Sequence, residues 1–561
     1  MKRRTFLRHA GIAAGGLAAV PGSVRGSAGG IERRASSGRD AALVLRNALV
    51  YDGTGAPGLE ADVAIEGGRI SAIGPRLSVR GDEELDLRGL ALAPGFVDIH
   101  SHTDTQVLAN PHAESKLLQG VTTEVAGQDG GSVGLWSNEQ YEAARERYRA
   151  RGIDLQFRDV AGFLRQVDRQ GAALNVASMI GAGSVRGYVV GDDDRPATAD
   201  ELERMAALVD GALAGGACGL SSGLEYTPGG FASTDELIAL AARLRGTGLP
   251  YASHMRNEDD RLLAAMEEAI RVGQGAGVPV QISHLKAQGQ RNWWKADLAL
   301  GVVEQARAAG IDAMFDVYPY IAYSTTLANL FPIGARDGGE RAFIARLRDA
   351  ATNAQLRVAV LDKIHNLGSW DSVQVTSTAS EQLAWARGRR LGELATERGT
   401  DPYDLLVRIL VEGGGGMVGF GMSEDNVRKF LAHPLSMICS DGGAYTTESA
   451  GAPHPRNFGT FPRVLGHYVR AQNVMPIEVA IRKMTMVPAR RVGLRDRGTI
   501  EPNAAADLVA FDPARVADLA TFEQPKQYAT GIVHVIVNGV AVLRNGEYTG
   551  TYSGRAVRPT K

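Results

Sequence analysis

The stretch Pro94-Gly95-Phe96-Val97-Asp98-Ile99-His100-Ser101-His102-Thr103-Asp104 decides how this chain is read. A short apolar run ends in two histidines two positions apart. On an extended strand alternate side chains share a face, so both imidazoles point at one spot where the strand stops. That geometry suits gripping one metal ion. Taken alone, such a triplet more often marks two satisfied loop histidines. The rest of the chain has to decide.

Outward from this stretch, short apolar runs alternate with amphipathic helical stretches such as DELIALAARLRG and RLLAAMEEAIRVGQGAG. That alternation implies a parallel sheet. The runs GFVDIHSH, VTTEVAG, NVASMIG, CGLSSGL, YASHM, VQISHL, AMFDVYP and SMICSDG read as eight strands. Eight βα units predict an α/β fold, a (β/α)8 barrel of the TIM type over residues 94–495. The long gap between the seventh and eighth strands, about 325–435, carries helical pieces of its own and reads as an insertion covering the barrel mouth. Residues 41–93 and 496–555 have a different texture, short alternating strands broken at glycines. They predict a small β-sandwich domain built from both ends of the chain.

In a barrel of this kind chemistry gathers at the C-terminal strand ends. Taken in order, those ends carry His100 and His102, then His254, His284 and Asp441. Imidazoles and a carboxylate are the ligands expected for zinc or a similar divalent cation. Each residue alone has a dull explanation. Five at successive strand ends of one barrel point to a metal site.

The longer segments GLSSGLEYTPG, SHMRNE, GVPVQISHLKAQGQRNWW, DVYPYIAYST and HPRNFGTFPRVLGHY resemble the amidohydrolase superfamily, and within it the D-aminoacylases, the N-acyl-D-amino-acid deacylases. The resemblance spans nearly all of the chain beyond its first residues. It implies that His100 and His102 bind one metal beside Asp441, and that His254 and His284 bind a second. It implies that Lys286, Tyr318 and Ser324 hold the substrate's carboxylate, a task that suits a cation and two hydroxyl donors. Where well-known members carry a metal-bridging cysteine in a GNCG-like segment, this chain has Gly127-Gln128-Asp129-Gly130. Asp129 could bridge two metals, bind one weakly, or not bind. Glu124 is a second carboxylate nearby, either a bridge or the partner of a cation inside the barrel. No lysine stands in the fourth strand to be carbamylated as a bridge.

The expected reaction is hydrolysis of the amide of an N-acyl-D-amino acid by metal-activated water, with Asp441 as general base. Arg456 is either an anion-binding residue or half of a structural ion pair. His454 and His467 read as supporting residues, and Glu225 and Tyr226 as pocket lining without an assigned role. The alternatives are hydrolysis of cyclic amides or of D-residue-containing (acyl-)dipeptides, and a secreted metal-binding protein without turnover.

The 561 residues are 44% hydrophobic and 22% charged, with a formal net charge of −2, so no basic field exists for nucleic acid. The two cysteines, Cys218 and Cys439, lie in apolar runs and read as small buried residues. Residues 1–30 carry the basic run Lys2-Arg3-Arg4-Thr5-Phe6-Leu7-Arg8 before an apolar stretch from Ala10 to Val20. That pattern resembles a twin-arginine export signal and predicts a periplasmic or secreted protein.

Overall fold

A computed structural model describes residues 41–150 and 152–560. The expected leader at 1–30 lies outside the described residues. The eight expected strands form as β1 (Phe96–Asp98), β2 (Val121–Ala126), β3 (Asn175–Ser178, continued by Ile180–Gly181), β4 (Leu220–Gly223), β5 (Tyr251–His254), β6 (Val280–Ile282), β7 (Ala313–Val317) and β8 (Ser436–Ile438). Each pairs in parallel with the next. They are buried along their length and so lack a regular alternation of apolar and polar residues, although several buried positions are polar, among them Thr123, Glu124, Asn175 and Ser253.

The barrel closes between the ends of β1 and β8. Ser101 bridges Gly442 in parallel register. The Asp441 amide donates to the His100 carbonyl at 2.9 Å, and the His102 amide to the Gly442 carbonyl at 2.9 Å. The seam that closes the barrel thus sets His100, His102 and Asp441 side by side. Strand β1 itself stops at Asp98, so both histidines stand just beyond it.

The outer helices follow the apolar spacing of the sequence. In Leu262–Ala276 the buried residues Leu262, Ala265, Met266, Ala269, Val272 and Ala276 make one stripe, and Gly277 ends the helix at φ +70°. In Ala199–Ala214 the Thr198 side chain caps the start while Glu201 reaches back.

The flanking segments share one nine-stranded sheet. Its joint is the antiparallel pairing of Ala91–Pro94 with Leu508–Phe511, two residues before β1. Leu43, Leu45, Val63 and Ile65 from the first segment share a core with Ala506, Leu508 and Ile536 from the last. Between β7 and β8 the chain forms an antiparallel sheet of Ala322–Thr326, Val373–Val375 and Gly416–Phe420, with the helices α1 (Gly339–Arg348), α2 (Ala350–Leu367) and α3 (Pro402–Val411). Among the described residues no helix is long and apolar enough to cross a membrane.

Candidate metal centre and active site

Asp129 is the hub of the site. Its carboxylate lies 3.3 Å from His100 Nε2, 3.4 Å from His102 Nε2, 3.4 Å from His284 Nε2 and 3.6 Å from His254 Nδ1. Asp441 Oδ1 closes one side, 2.9 Å from His102 Nε2 and 3.5 Å from His100 Nε2. His254 Nδ1 and His284 Nε2 are 2.9 Å apart on the other. Two donor groups that share Asp129 result, His100–His102–Asp129–Asp441 and Asp129–His254–His284, and a third, Glu225–His254–Glu258, adjoins them, each with ligand atoms within 4.8 Å of one another.

These donors are set by strained backbone. Asp129, His284 and Asp441 adopt φ of +52°, +36° and +50°, in the left-handed region that residues with a Cβ avoid. Each such residue costs on the order of 1–3 kcal/mol and persists where its surroundings over-determine it.

The cluster also leaves polar atoms unused. His100 Nε2 and Asp129 Oδ1, which face the cluster, are buried without a hydrogen-bond partner, whereas His100 Nδ1 faces Asp316 at 3.4 Å and His254 Nε2 faces Glu225 at 3.7 Å. Buried polar groups are normally satisfied, so a convergent set of orphans indicates a missing electrophile. Nitrogen and oxygen donors of this kind fit zinc.

The charges reinforce one another. Burial alone would lower the His102 pKa, but its hydrogen bonds to the Asp129 and Asp441 carboxylates and their negative charge raise it to about 9. His254 is raised to about 10, the charges of Glu258 and Asp129 outweighing burial. Burial would raise Asp441, yet Arg456 and the imidazoles hold it far below the usual carboxylate range. Asp129 is likewise held low against its own burial, by His100, His284 and His254. Protons and a cation compete for the same imidazole nitrogens.

The other expected residues fall in different places. Glu124 stands outside these donor groups: its Oε1 lies 2.9 Å from Lys116 Nζ and accepts the Ser101 and Thr103 hydroxyls at 2.8 Å. It neutralises a barrel-interior cation and does not bridge. Arg456 donates to Asp441 Oδ2 at 2.7 Å and lines the cavity, so it is both an ion-pair partner and a wall residue. Lys286 Nζ is held 2.6 Å from Glu258 Oε1 and 2.7 Å from His284 Nδ1. Lys286 lines the cavity, with its charge shared with Glu258. Ser324 lines the cavity. Tyr318 does not; its hydroxyl lies 3.7 Å from Met422 Sδ and its ring sits below Lys286 and Arg456. His454 Nε2 bonds the Ala322 carbonyl, and burial keeps this imidazole neutral. His467 lies in the helix after Arg463 and contacts Gln472. Both cysteines are buried and unpaired.

Two carboxylates had no role at the outset. Glu258 receives Lys286 and lies 3.0 Å from His284 Nδ1. Asp316, at the end of β7, accepts the His284 amide at 2.8 Å and lies 3.4 Å from His100 Nδ1. Such carboxylates fix the tautomer and orientation of ligand histidines. Their signal was legible: both stand at or just beyond strand ends, inside the quoted segments SHMRNE and DVYPYIAYST. A cavity of about 670 Å³ opens over the cluster, walled on one side by the insertion through Ser324, Thr325, Asn329, Lys363 and Ser377.

The fold and this site define a class. Residues 83–543 match the model of the amidohydrolase family, and the chain belongs to that family. Within it the chain is 36% identical over 518 residues to a D-aminoacylase of Alcaligenes xylosoxydans xylosoxydans, covering 92% of this chain and 98% of that protein. A solved D-aminoacylase, studied for the functional role of its binuclear metal center, superposes with a TM-score of 0.78 at 36% identity, over 92% of this chain and all of that one. The N-acyl-D-glutamate deacylase of Bordetella bronchiseptica, solved with zinc and a phosphonate inhibitor that mimics the tetrahedral intermediate, superposes with a TM-score of 0.78 at 32% identity, over 93% of this chain and all of that one.

Proposed function

We propose that this chain is a zinc-dependent deacylase of N-acyl-D-amino acids, releasing a carboxylate and a D-amino acid. The observation that carries the reading is the convergence of His100, His102, His254, His284, Asp129 and Asp441, with His100 Nε2 and Asp129 Oδ1 buried and unpartnered among them. The similarity to deacylases of D-amino acids along nearly the whole chain supports the substrate class.

A cation held by these six residues supplies Lewis acidity, making hydroxide available near neutral pH and polarising the amide carbonyl. Asp441 acts as the base. Arg456 engages its Oδ2, leaving Oδ1 turned to the histidines and ionised at neutral pH. Oδ1 takes the proton of the attacking water and returns it to the leaving nitrogen. Glu258 and Asp316 hold His284 and His100 in orientation. Lys286, Ser324 and Arg456 face the cavity as the groups for the amino acid's carboxylate. Tyr318 carries Lys286 and Arg456 on its ring face.

The deciding experiment is a stereo-paired screen of the zinc-reconstituted enzyme on N-acetyl-D- and N-acetyl-L-amino acids, with hydantoins and dihydrouracil as ring amides. Turnover confined to the D series is expected. Turnover of the ring amides alone, or of neither set with zinc bound, overturns the reading. The twin-arginine run at Arg3-Arg4 supports export in addition. Recovery of the full chain solely in the cytoplasm, with its leader uncleaved, rejects that part.

A further inference from the structure

A second cavity of about 670 Å³ adjoins the one above the donor cluster. The two share Tyr226, Thr326, Asn329 and Ser377 as common wall, so they lie side by side. The inner end of the groove is Tyr226, whose ring packs on His254 with centroids 4.6 Å apart. From there it runs outward between the insertion elements. Its sides are Ala328, Phe343, Ile344, Ala379 and Leu410, and Gly413–Gly416 leaves one side without side chains. Ile344 and Ala328 are half-buried and Ala379 is exposed, an apolar lining open to solvent. Arg336 and Glu340 are charged members of the same wall.

We propose that this groove is the subsite for the acyl chain, and that the enzyme's substrates carry medium- or long-chain aliphatic acyl groups. The inference rests on the deacylase reading and goes beyond it by naming the acyl class. With the scissile carbonyl at the donor cluster, the carboxylate half turns toward Lys286, Ser324 and Arg456, which are polar. On the other side, past Tyr226, Thr326, Asn329 and Ser377, lies the groove, whose apolar members are Ala328, Phe343, Ile344, Ala379 and Leu410. An acetyl group ends before the groove begins. Each methylene moved from water onto such a lining gains up to about fourfold in affinity. Because this contact is remote from the reacting atoms, it lowers KM more than it raises kcat.

The test is the series N-acetyl, N-butyryl, N-octanoyl and N-decanoyl on D-leucine and on D-glutamate, run with the zinc enzyme and with Ile344→Asp and Ala379→Trp. Octanoyl is expected to exceed acetyl at least tenfold in kcat/KM, mostly through KM. Ile344→Asp, which adds charge to the groove, and Ala379→Trp, which fills it at an exposed position, are expected to lower octanoyl about tenfold and leave acetyl within twofold. An octanoyl advantage under tenfold overturns the proposal while leaving the deacylase reading intact. So does a variant that shifts acetyl and octanoyl equally, or that alters the leucine-to-glutamate ratio rather than the chain-length ratio, since the groove would then take the amino-acid side chain. No hydrolysis of any member overturns both.

Discussion

Two clusters of buried charge occupy the same strands within a few residues of one another. The first is centred on Lys116. Its ammonium donates to Asp98 Oδ2 at 2.8 Å, Ser440 Oγ at 2.7 Å and the Gly442 carbonyl at 3.0 Å, beside Glu124 at 2.9 Å. The second is centred on Asp129. Neighbouring positions feed the two: Asp98 at the end of the first strand and His100 just beyond it, Ser440 and Asp441 after the eighth. In the first, the chain provides its own cation, every ammonium proton has an acceptor, and Glu124 Oε2 is the carboxylate oxygen left over. In the second, acids and imidazoles face one another and several atoms have no partner. Both are charged and withdrawn from solvent. What separates a structural ion cluster from a binding site is whether the chain completes it.

The comparison can be broken at either cluster. The largest expected effect is on catalysis: Asp441→Asn should bind zinc and product yet lose about 10³-fold or more in kcat. A loss under tenfold, measured on metal-loaded protein, would remove Asp441 as base. Next is the completed cluster. Lys116→Met strands Asp98 and Glu124 without a cation and should cost about 3–5 kcal/mol of stability. Denaturant melts read the loss, and KM on the protein that still folds should not move. A large KM change there would mean the two clusters are not separate.

Asp129→Asn tests the hub. Zinc affinity is expected to fall about 100-fold or more, read by competition with a chelator of known affinity. Unchanged affinity would reduce Asp129 to a bystander. A smaller effect is the pH dependence of metal binding. His102 and His254, raised to about 9 and about 10, hold protons at neutral pH that a cation must displace. Apparent zinc affinity should therefore rise with pH through this range and drop about tenfold per unit, per proton displaced, between pH 8 and pH 6. A flat profile would say that the ligands bind no protons. The smallest is Lys286→Ala, expected to raise KM about tenfold for N-acyl-D-amino acids and less for their amides. Equal effects on both would place Lys286 with Glu258 and His284 as a positioning residue alone.

The eight barrel strands were legible because a strand buried on both faces lacks a regular alternation of apolar and polar residues, and each such run ends at a ligand or a turn. His100, His102, His254, His284 and Asp441 were legible for the same reason: they stand where those runs stop. The sequence favoured Asp129 over Glu124 as a bridge without settling it, since one carboxylate lies inside the second strand and the other three residues beyond its end. Side-chain direction along the pleat, and the left-handed turn at Asp129, send one to Lys116 and the other to the histidines. Lys286 and Tyr318 stood in motifs that named them without showing their partners.

The linear chain thus determined the alternation that builds the barrel and the residue types that ring its mouth, because periodicity and strand-end placement are local properties. Tertiary structure alone decided which acid meets which base, because Glu258, Arg456 and Lys116 act on residues from other strands and loops. It also decided that an apolar groove opens beside the polar cavity, where an insertion folds back over the barrel and brings Tyr226, Ile344 and Ser377 to one wall.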